Sequence, residues 1–379
     1  MSGNVALDLI AAVMGWDEDR NSPSRTEFVW LQMMSAIKYD GYADFRAGVR
    51  FLESLAVWLR QFDEADRRVA YDFFKKKLIY ISPPELKGLI EIFVPETVTP
   101  RLRQYVAAQL GIKPYEVWGT PKSAEAFRHA RRSTLFVGMS DGSRMDMFRR
   151  TNSGTLSPEQ IVASLIIDDD KWKDMGKKLD EAVPGAKFST VYLIDDFTGS
   201  GTTFARFVDG EWKGKLKKFN DRVRDAQQNF EKKGKPFPLA PEYTVHIHHY
   251  ISSEQARSTL EANRARVLEE WKDKTFGDIR ITEGLRLPAE AKLDPIRDPE
   301  IWRLCDRYYD PAQDVRLEEH LEQSGITTAR FGYAGCALPL VLDHNTPNNS
   351  IPLLWAEPDE VAPGAHEMKA LFRRRDRHG

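Results

Sequence analysis

From Glu27 to about Phe93 the chain is poor in glycine and its apolar positions recur with a helical period. In YADFRAGVRFLESLAVWLRQF, Phe45, Val49, Leu52, Leu55, Leu59 and Phe62 are spaced by threes and fours, which lays them along one helix face. A second run, EADRRVAYDFFKKKLIYIS, reads as helix until Pro83-Pro84 stops it. Ser82-Pro-Pro-Glu85 then opens another helix, because proline fits a first turn and glutamate favours the positive end of the dipole. The aromatic stripe Trp30, Tyr42, Phe45, Trp58, Phe62, Phe73 and Phe74 reads as core. Residues 1–125 are therefore expected to form a helical domain. The stretch from Glu27 to about Phe93 offers no cluster of His, Cys or carboxylates at ligand spacing.

After about Ser133 the period changes. Leu135–Gly138, Val191–Ile194, Thr244–Tyr250 and Phe276–Ile281 are short apolar runs that predict strands. Helices are expected between them, in SPEQIVASLI, DDDKWKDMGKKLDEAV and EQARSTLEANRARVLEEWKD. Strands alternating with helices predict an α/β fold, a mostly parallel sheet flanked by helices, over residues 126–379 with a C-terminal extension. In such sheets ligands bind at the carboxyl ends of the strands.

Composition narrows the classes. With 379 residues, 41% apolar and 30% charged, the chain reads as an ordinary folded protein of two domains. A net charge of −2 gives no global case for a nucleic-acid or anionic-membrane partner. Cys305 and Cys336 lack zinc spacing and suggest a reducing compartment. The first residues, MSGNVALDLIAAVMGWDEDR, carry no basic leader, and no apolar run approaches a membrane span. A cytoplasmic location is expected.

The chemistry concentrates in VYLIDDFTGSGTTFAR, residues 191–206. Asp195 and Asp196 are expected to close a strand, with Phe197–Thr203 turning the chain into a helix beginning near Phe204. Gly199 and Gly201 let the backbone bend so that amides point inward, and Thr198, Ser200, Thr202 and Thr203 add hydroxyls. Such a loop before a helix suits a phosphate. The two carboxylates suit the vicinal hydroxyls of a sugar, so a sugar phosphate satisfies both halves. There is no lysine as a P-loop needs, and no Gly-x-Gly-x-x-Gly. A plain strand, turn and capped helix with exposed aspartates is the competing reading.

Hydrophobic run, Asp-Asp, two residues and a small hydroxylated loop resemble the phosphoribosyl-diphosphate loop of type I phosphoribosyltransferases. By that resemblance Asp195 and Asp196 contact the ribose hydroxyls, and Gly199 to Thr203 cradle the 5′-phosphate. Tyr192 in the strand, Thr198 for an aliphatic residue and Gly199 for Thr, Ser or Ala depart from the usual pattern. Leu135 to Arg150 resembles the first strand and diphosphate region, where Asp141, Gly142, Ser143 and Arg144 would meet the diphosphate; an ordinary turn with a surface arginine accounts for them equally well. Thr151–Thr190 stands where the family keeps a mobile lid, and Asp168–Asp170 reads as a helix cap before a metal site.

With the helical N-terminal half, the phrase FGYAGCALPLVLDHNTPNNS resembles the PRTase-CE group, phosphoribosyltransferase-like proteins of bacterial conflict systems. Asn345, Asn348 and Asn349 suit a base edge or, equally, a turn. The resemblance implies phosphoribosyl diphosphate (PRPP) or a nucleotide as ligand, Mg2+ on its diphosphate, and an antiphage effector role beside a defence partner or nucleic acid. A catalytically inactive nucleotide sensor is the alternative, and an oligomer is compatible with either. His246 and His248 share a strand face and read as polar residues of an edge strand. Lys213–Lys235 reads as a solvated basic helix, and Arg373–His378 as a charged tail.

Overall fold

A computed structural model describes residues 3–16, 23–316, 321, 325–357 and 366–374. The backbone separates into two compact units, one of residues 1–85 with 288–379 and one of residues 86–287. The expected boundary near residue 125 falls inside the second unit.

The first unit draws on both ends of the chain. It contains α1 (Gly3–Met14), α2 (Pro23–Met34), α3 (Phe51–Arg60), α4 (Glu64–Lys77) and β1 (Ile79–Ile81). From the other end come α12 (Pro299–Arg307), α13 (Ala312–Arg316) and β9 (Leu340–Leu342). The expected helix over Tyr42–Phe62 begins only at Phe51, because Gly48 takes a φ of 79° just ahead of it. Nor is Leu78–Ser82 helical: β-branched Ile79 and Ile81 pair β1 in parallel with β9. The helix predicted at Pro83 is present as α5 (Pro83–Ile92), and Glu85 accepts from the Ser82 amide at 2.7 Å. The aromatic stripe is core, with Trp58, Phe62 and Phe74 buried against Leu304, Val341, Leu354 and Phe372.

The second unit holds α6 (Thr99–Leu110), α7 (Pro121–Arg132), β2 (Thr134–Gly138), α8 (Met145–Thr151), β3 (Ile161–Val162) and α9 (Asp169–Ala182). Then come β4 (Phe188–Thr198), the hairpin β5 (Arg206–Val208) and β6 (Glu211–Lys213), α10 (Lys215–Lys232), β7 (Leu239–Ser253), α11 (Glu254–Glu270) and β8 (Asp278–Leu287). Five strands form one parallel sheet in the order β3-β2-β4-β7-β8, as the α/β reading requires.

Two predicted helices are absent. SPEQIVASLI is a short turn followed by β3, since Ile161 and Val162 pair with Phe136 and Val137. Phe204 opens no helix, because the β5–β6 hairpin intervenes before α10. The lid region is mostly regular: β3 and α9 occupy it, and Trp172, Met175 and Leu179 of α9 are buried. Asp168 caps α9 by accepting from the Lys171 amide at 2.7 Å.

The two faces of the sheet differ in chemistry. One is aliphatic: Leu135, Val137, Val191, Leu193, Val245, Ile247, Ile279 and Ile281 pack with α9, α10 and α11. The other carries Phe136, Tyr192, His246, His248 and Tyr250, with Phe93 stacked on His248 at 3.7 Å between centroids and Phe148 beside Phe136.

Candidate functional site

Counted along the chain, the sheet's strands stand in the order 2-1-3-4-5, so the winding reverses between the first strand, β2, and the third, β4. A crevice opens at the carboxyl ends of strands flanking such a reversal. Both loops singled out in the sequence leave from those two ends. The turn Asp141–Ser143 follows β2, and Asp195 to Thr203 closes β4 and continues from it.

The strand extends through Thr198, further than expected, and strand alternation sends the two aspartates to opposite faces. Asp195 is buried, 5% exposed, on the aliphatic side. The Ser140 hydroxyl donates to its Oδ1 and the Lys215 ammonium to its Oδ2. Burial pushes its carboxyl above the usual range and the neighbouring Asp196 adds to this, while Lys215 and Ser140 act against it. Asp196 is half-buried on the opposite face, and its carboxylate lies against Gly142. A Cβ built at Gly142 would stand 2.6 Å from Asp196 Cγ, so only glycine allows this approach. The turn after β2 and the aspartate pair, far apart in sequence, are thus joined by two separate contacts, Ser140 on Asp195 and Gly142 on Asp196.

Within the turn, Asp141 is exposed, Ser143 is buried with its hydroxyl donating to the Ser140 carbonyl, and Arg144 is half-buried. Arg144 adopts φ 50° and ψ 40°, a left-handed conformation that costs a non-glycine residue about 1 kcal/mol. Strain of this kind gathers where a loop is held for a purpose.

Residues 199–205 are tied back into the fold through their carbonyls. Gly199 O accepts from Ser253 Oγ at 2.5 Å, Thr202 O from Arg206 at 3.4 Å and Thr203 O from the Lys215 amide at 3.1 Å. Phe204 O accepts from the Leu216 amide at 2.9 Å and Ala205 O from Asn263 at 2.7 Å. Within the loop, the Thr202 amide meets Ser200 Oγ at 3.4 Å. Gly201, at φ 76°, packs so closely on α11 that a Cβ would lie 2.7 Å from Ala256 O. The Ser200 and Thr202 hydroxyls meet at 2.8 Å. Thr198, Gly199, Ser200 and Gly201 are buried, whereas Thr203 is exposed. A glycine-rich loop that brings amides and hydroxyls together suits an anion. The helix contribution differs from expectation: the first amides of α10 are taken by loop carbonyls, and its first residue supplies a cation to Asp195.

The histidines occupy no edge. β7 lies between β4 and β8, and His246, His248 and His249 are all buried. Burial, reinforced by nearby cations, depresses His246 and His249 to about 3, and His248 lies well below its ordinary value. Thr282 donates to Ile247 O at 3.2 Å, so its oxygen receives the Nδ1 proton of His248 at 2.9 Å. The Tyr250 hydroxyl is raised by burial and by the charges of Asp196 and Asp195, and stays protonated.

The asparagines belong to the other unit. Asn349 donates to Tyr333 O and to Cys336 Sγ, both at 3.3 Å, while Asn345 and Asn348 take part in backbone turns through Leu342 and Tyr333. Among the described residues no three ligating side chains gather into a metal cage. Residues 375–378 of the basic tail lie outside the described residues. Lys215 was hidden from sequence reasoning as one lysine among many in a basic helix.

The family described as PRTase-CE matches this chain over residues 55–374. No curated protein and no solved structure matches it.

Proposed function

This chain belongs to the PRTase-CE family and is phosphoribosyltransferase-like; from that premise we propose that it binds phosphoribosyl diphosphate, or a ribose 5-phosphate nucleotide, between its first and third sheet strands. One observation carries the reading: the Asp141–Arg144 turn and the Asp195–Thr203 loop meet at the carboxyl ends of β2 and β4, with Asp196 lodged on Gly142.

In this assignment the loop amides and the hydroxyls of Ser200, Thr202 and Thr203 hold the 5′-phosphate. Asp196 accepts hydrogen bonds from ribose hydroxyls, and Asp195, braced by Lys215 and Ser140, holds the end of the strand in place. Arg144 offers a guanidinium to the diphosphate. Transfer would break the ribose C1–O bond, the diphosphate leaving with the bonding electrons, while an acceptor nucleophile supplies the new pair. Positive charge on the ring would face Asp196, and negative charge on the leaving group would face Arg144. Asp141 and Asp196 are the carboxylates at this turn that would hold a magnesium ion through its waters, and the ion would neutralise diphosphate charge.

A second reading, a nucleotide sensor without turnover, draws support from the same geometry. Asp195 spends both oxygens on Ser140 and Lys215, and Asp196 stands on the opposite face of the strand. An antiphage effector role is proposed on the family resemblance alone.

Calorimetric titration of PRPP with magnesium, against ribose 5-phosphate and AMP, tests the assignment. Saturable binding that Asp196→Asn weakens at least tenfold is expected. Released diphosphate would mark a transferase, and binding without release the sensor. Binding unchanged in Asp196→Asn would refute the site.

A further inference from the structure

At the opposite end of β2 the second unit has a cavity of about 550 Å³, within the range of small-molecule sites. Arg128, Arg131 and Arg132 line it from α7, with Thr155 opposite and Leu156 and Val183 among its apolar walls. None of its lining residues is acidic.

Cations near a helix C-terminus ordinarily serve the helix's own carbonyls. Here other donors already do so. His129 O accepts from the Ser133 amide at 2.9 Å, Ala130 O from the Thr134 hydroxyl at 2.9 Å, and Arg131 O from Gln160 at 2.8 Å. The guanidiniums are therefore surplus to capping. Arg132 is partly neutralised, since its Nη2 donates to Glu159 and, at 2.9 Å, to Lys178 O. Its Nη1 is buried and meets no hydrogen-bond partner among the described residues. Arg128 and Arg131 form no ion pair with any described carboxylate. Two guanidiniums without an ion pair, Arg128 and Arg131, therefore line the pocket, while Arg132 is held by Glu159 at its rim.

We propose that this pocket is a second binding site, for a phosphorylated small molecule of nucleotide size. The arginines would take the phosphates in forked hydrogen bonds, Thr155 would add a hydroxyl, and the walls of Leu156 and Val183 would face the apolar part. A concave pocket fits a discrete nucleotide better than a polymer backbone, which needs an open track. Arg131 and Ser140 bracket β2, whose five residues span roughly 16 Å, so occupants of the two sites do not compete.

Calorimetry on the full chain with ATP as probe tests this. With saturating PRPP and magnesium present to fill the first site, saturable ATP binding is expected, weakened at least tenfold in Arg128→Ala/Arg131→Ala. The single changes Arg128→Gln and Arg131→Gln serve if the double variant misfolds, each expected to weaken binding severalfold. ATP binding that is absent, or indifferent to the arginines, overturns the proposal. So does binding confined to a single-stranded oligonucleotide with steep salt dependence, which would make the patch a nucleic-acid contact.

Discussion

Removing the Lys215 ammonium would strand a buried carboxylate. Lys215→Met is expected to cost about 3 kcal/mol, because Asp195 keeps its burial and loses its cation. Asp195→Asn/Lys215→Met should cost less than the single change, since neither charge then remains. Urea midpoints of the two variants against the parent decide it, and a double variant worse than Lys215→Met would mean that the pair is not the source of the effect. Gly142→Ala tests the other contact. A methyl driven towards the Asp196 carboxylate should cost about 1–3 kcal/mol and weaken PRPP binding at least tenfold, read from melting temperature and titration. At this scale the sequence was informative for residues whose type is tied to local geometry. Two aspartates ending an apolar run and glycines in a hydroxylated loop announce themselves. Lys215 does not, because its partner lies 20 positions away across a hairpin that no local signal foretold.

Strands were legible where burial demanded continuous apolar residues, and obscure where it did not. Val191–Ile194 and Leu135–Gly138 were readable as strands, yet Ile161-Val162 is too short to show a period and was absorbed into a false helix. In β7 the histidines suggested a polar edge, whereas the strand is central and buries them uncharged. That placement carries a pH consequence. An unfolded histidine takes up a proton near pH 6.5, while folded His246 and His249 resist until about 3 and His248 is depressed as well. Their contribution to stability is therefore fully present above about pH 6.5 and declines as the pH falls, by about 1.4 kcal/mol per pH unit for each. The raised carboxyl of Asp195 acts in the opposite sense, favouring the folded state at low pH and losing that advantage as pH rises through its folded value. Three groups outweigh one, so the melting temperature should drop steeply between pH 6.5 and 5. A flat profile over that interval would contradict the buried, neutral assignment.

For the whole molecule, the division of the chain was the least legible feature, because pairing between distant segments leaves no mark in local composition. β1 and β9 are three residues each, and their partnership joins segments that the sequence pattern keeps apart. The same unit is knit by Asp66 of α4, 4% exposed, which accepts from Arg303 at 2.5 Å, Arg307 at 3.0 Å and Tyr308 at 2.8 Å. Asp66→Ala removes an acceptor shared by the Tyr308 hydroxyl and two half-exposed arginines and should cost about 1–2 kcal/mol, measurable as loss of hydrogen-exchange protection in α4 and α12. Amides of β4 and β7, in the other unit, should change far less; equal loss in both would show a single cooperative unit.

The two-ended construction of that unit also sets an order of events during synthesis. All five strands of the parallel sheet have been made by Leu287, whereas β1 waits for Leu340 to Leu342 and the surrounding core waits for Phe372. All strands of the sheet unit are therefore made well before the early helices, which pack on one another, gain the segments that complete their core. Until translation nears Phe372, those helices present Phe51, Trp58 and Phe74 without their late partners, which makes them natural clients for a chaperone. A premature stop after residue 287 would leave every strand of the parallel sheet present and the other unit without its late segments.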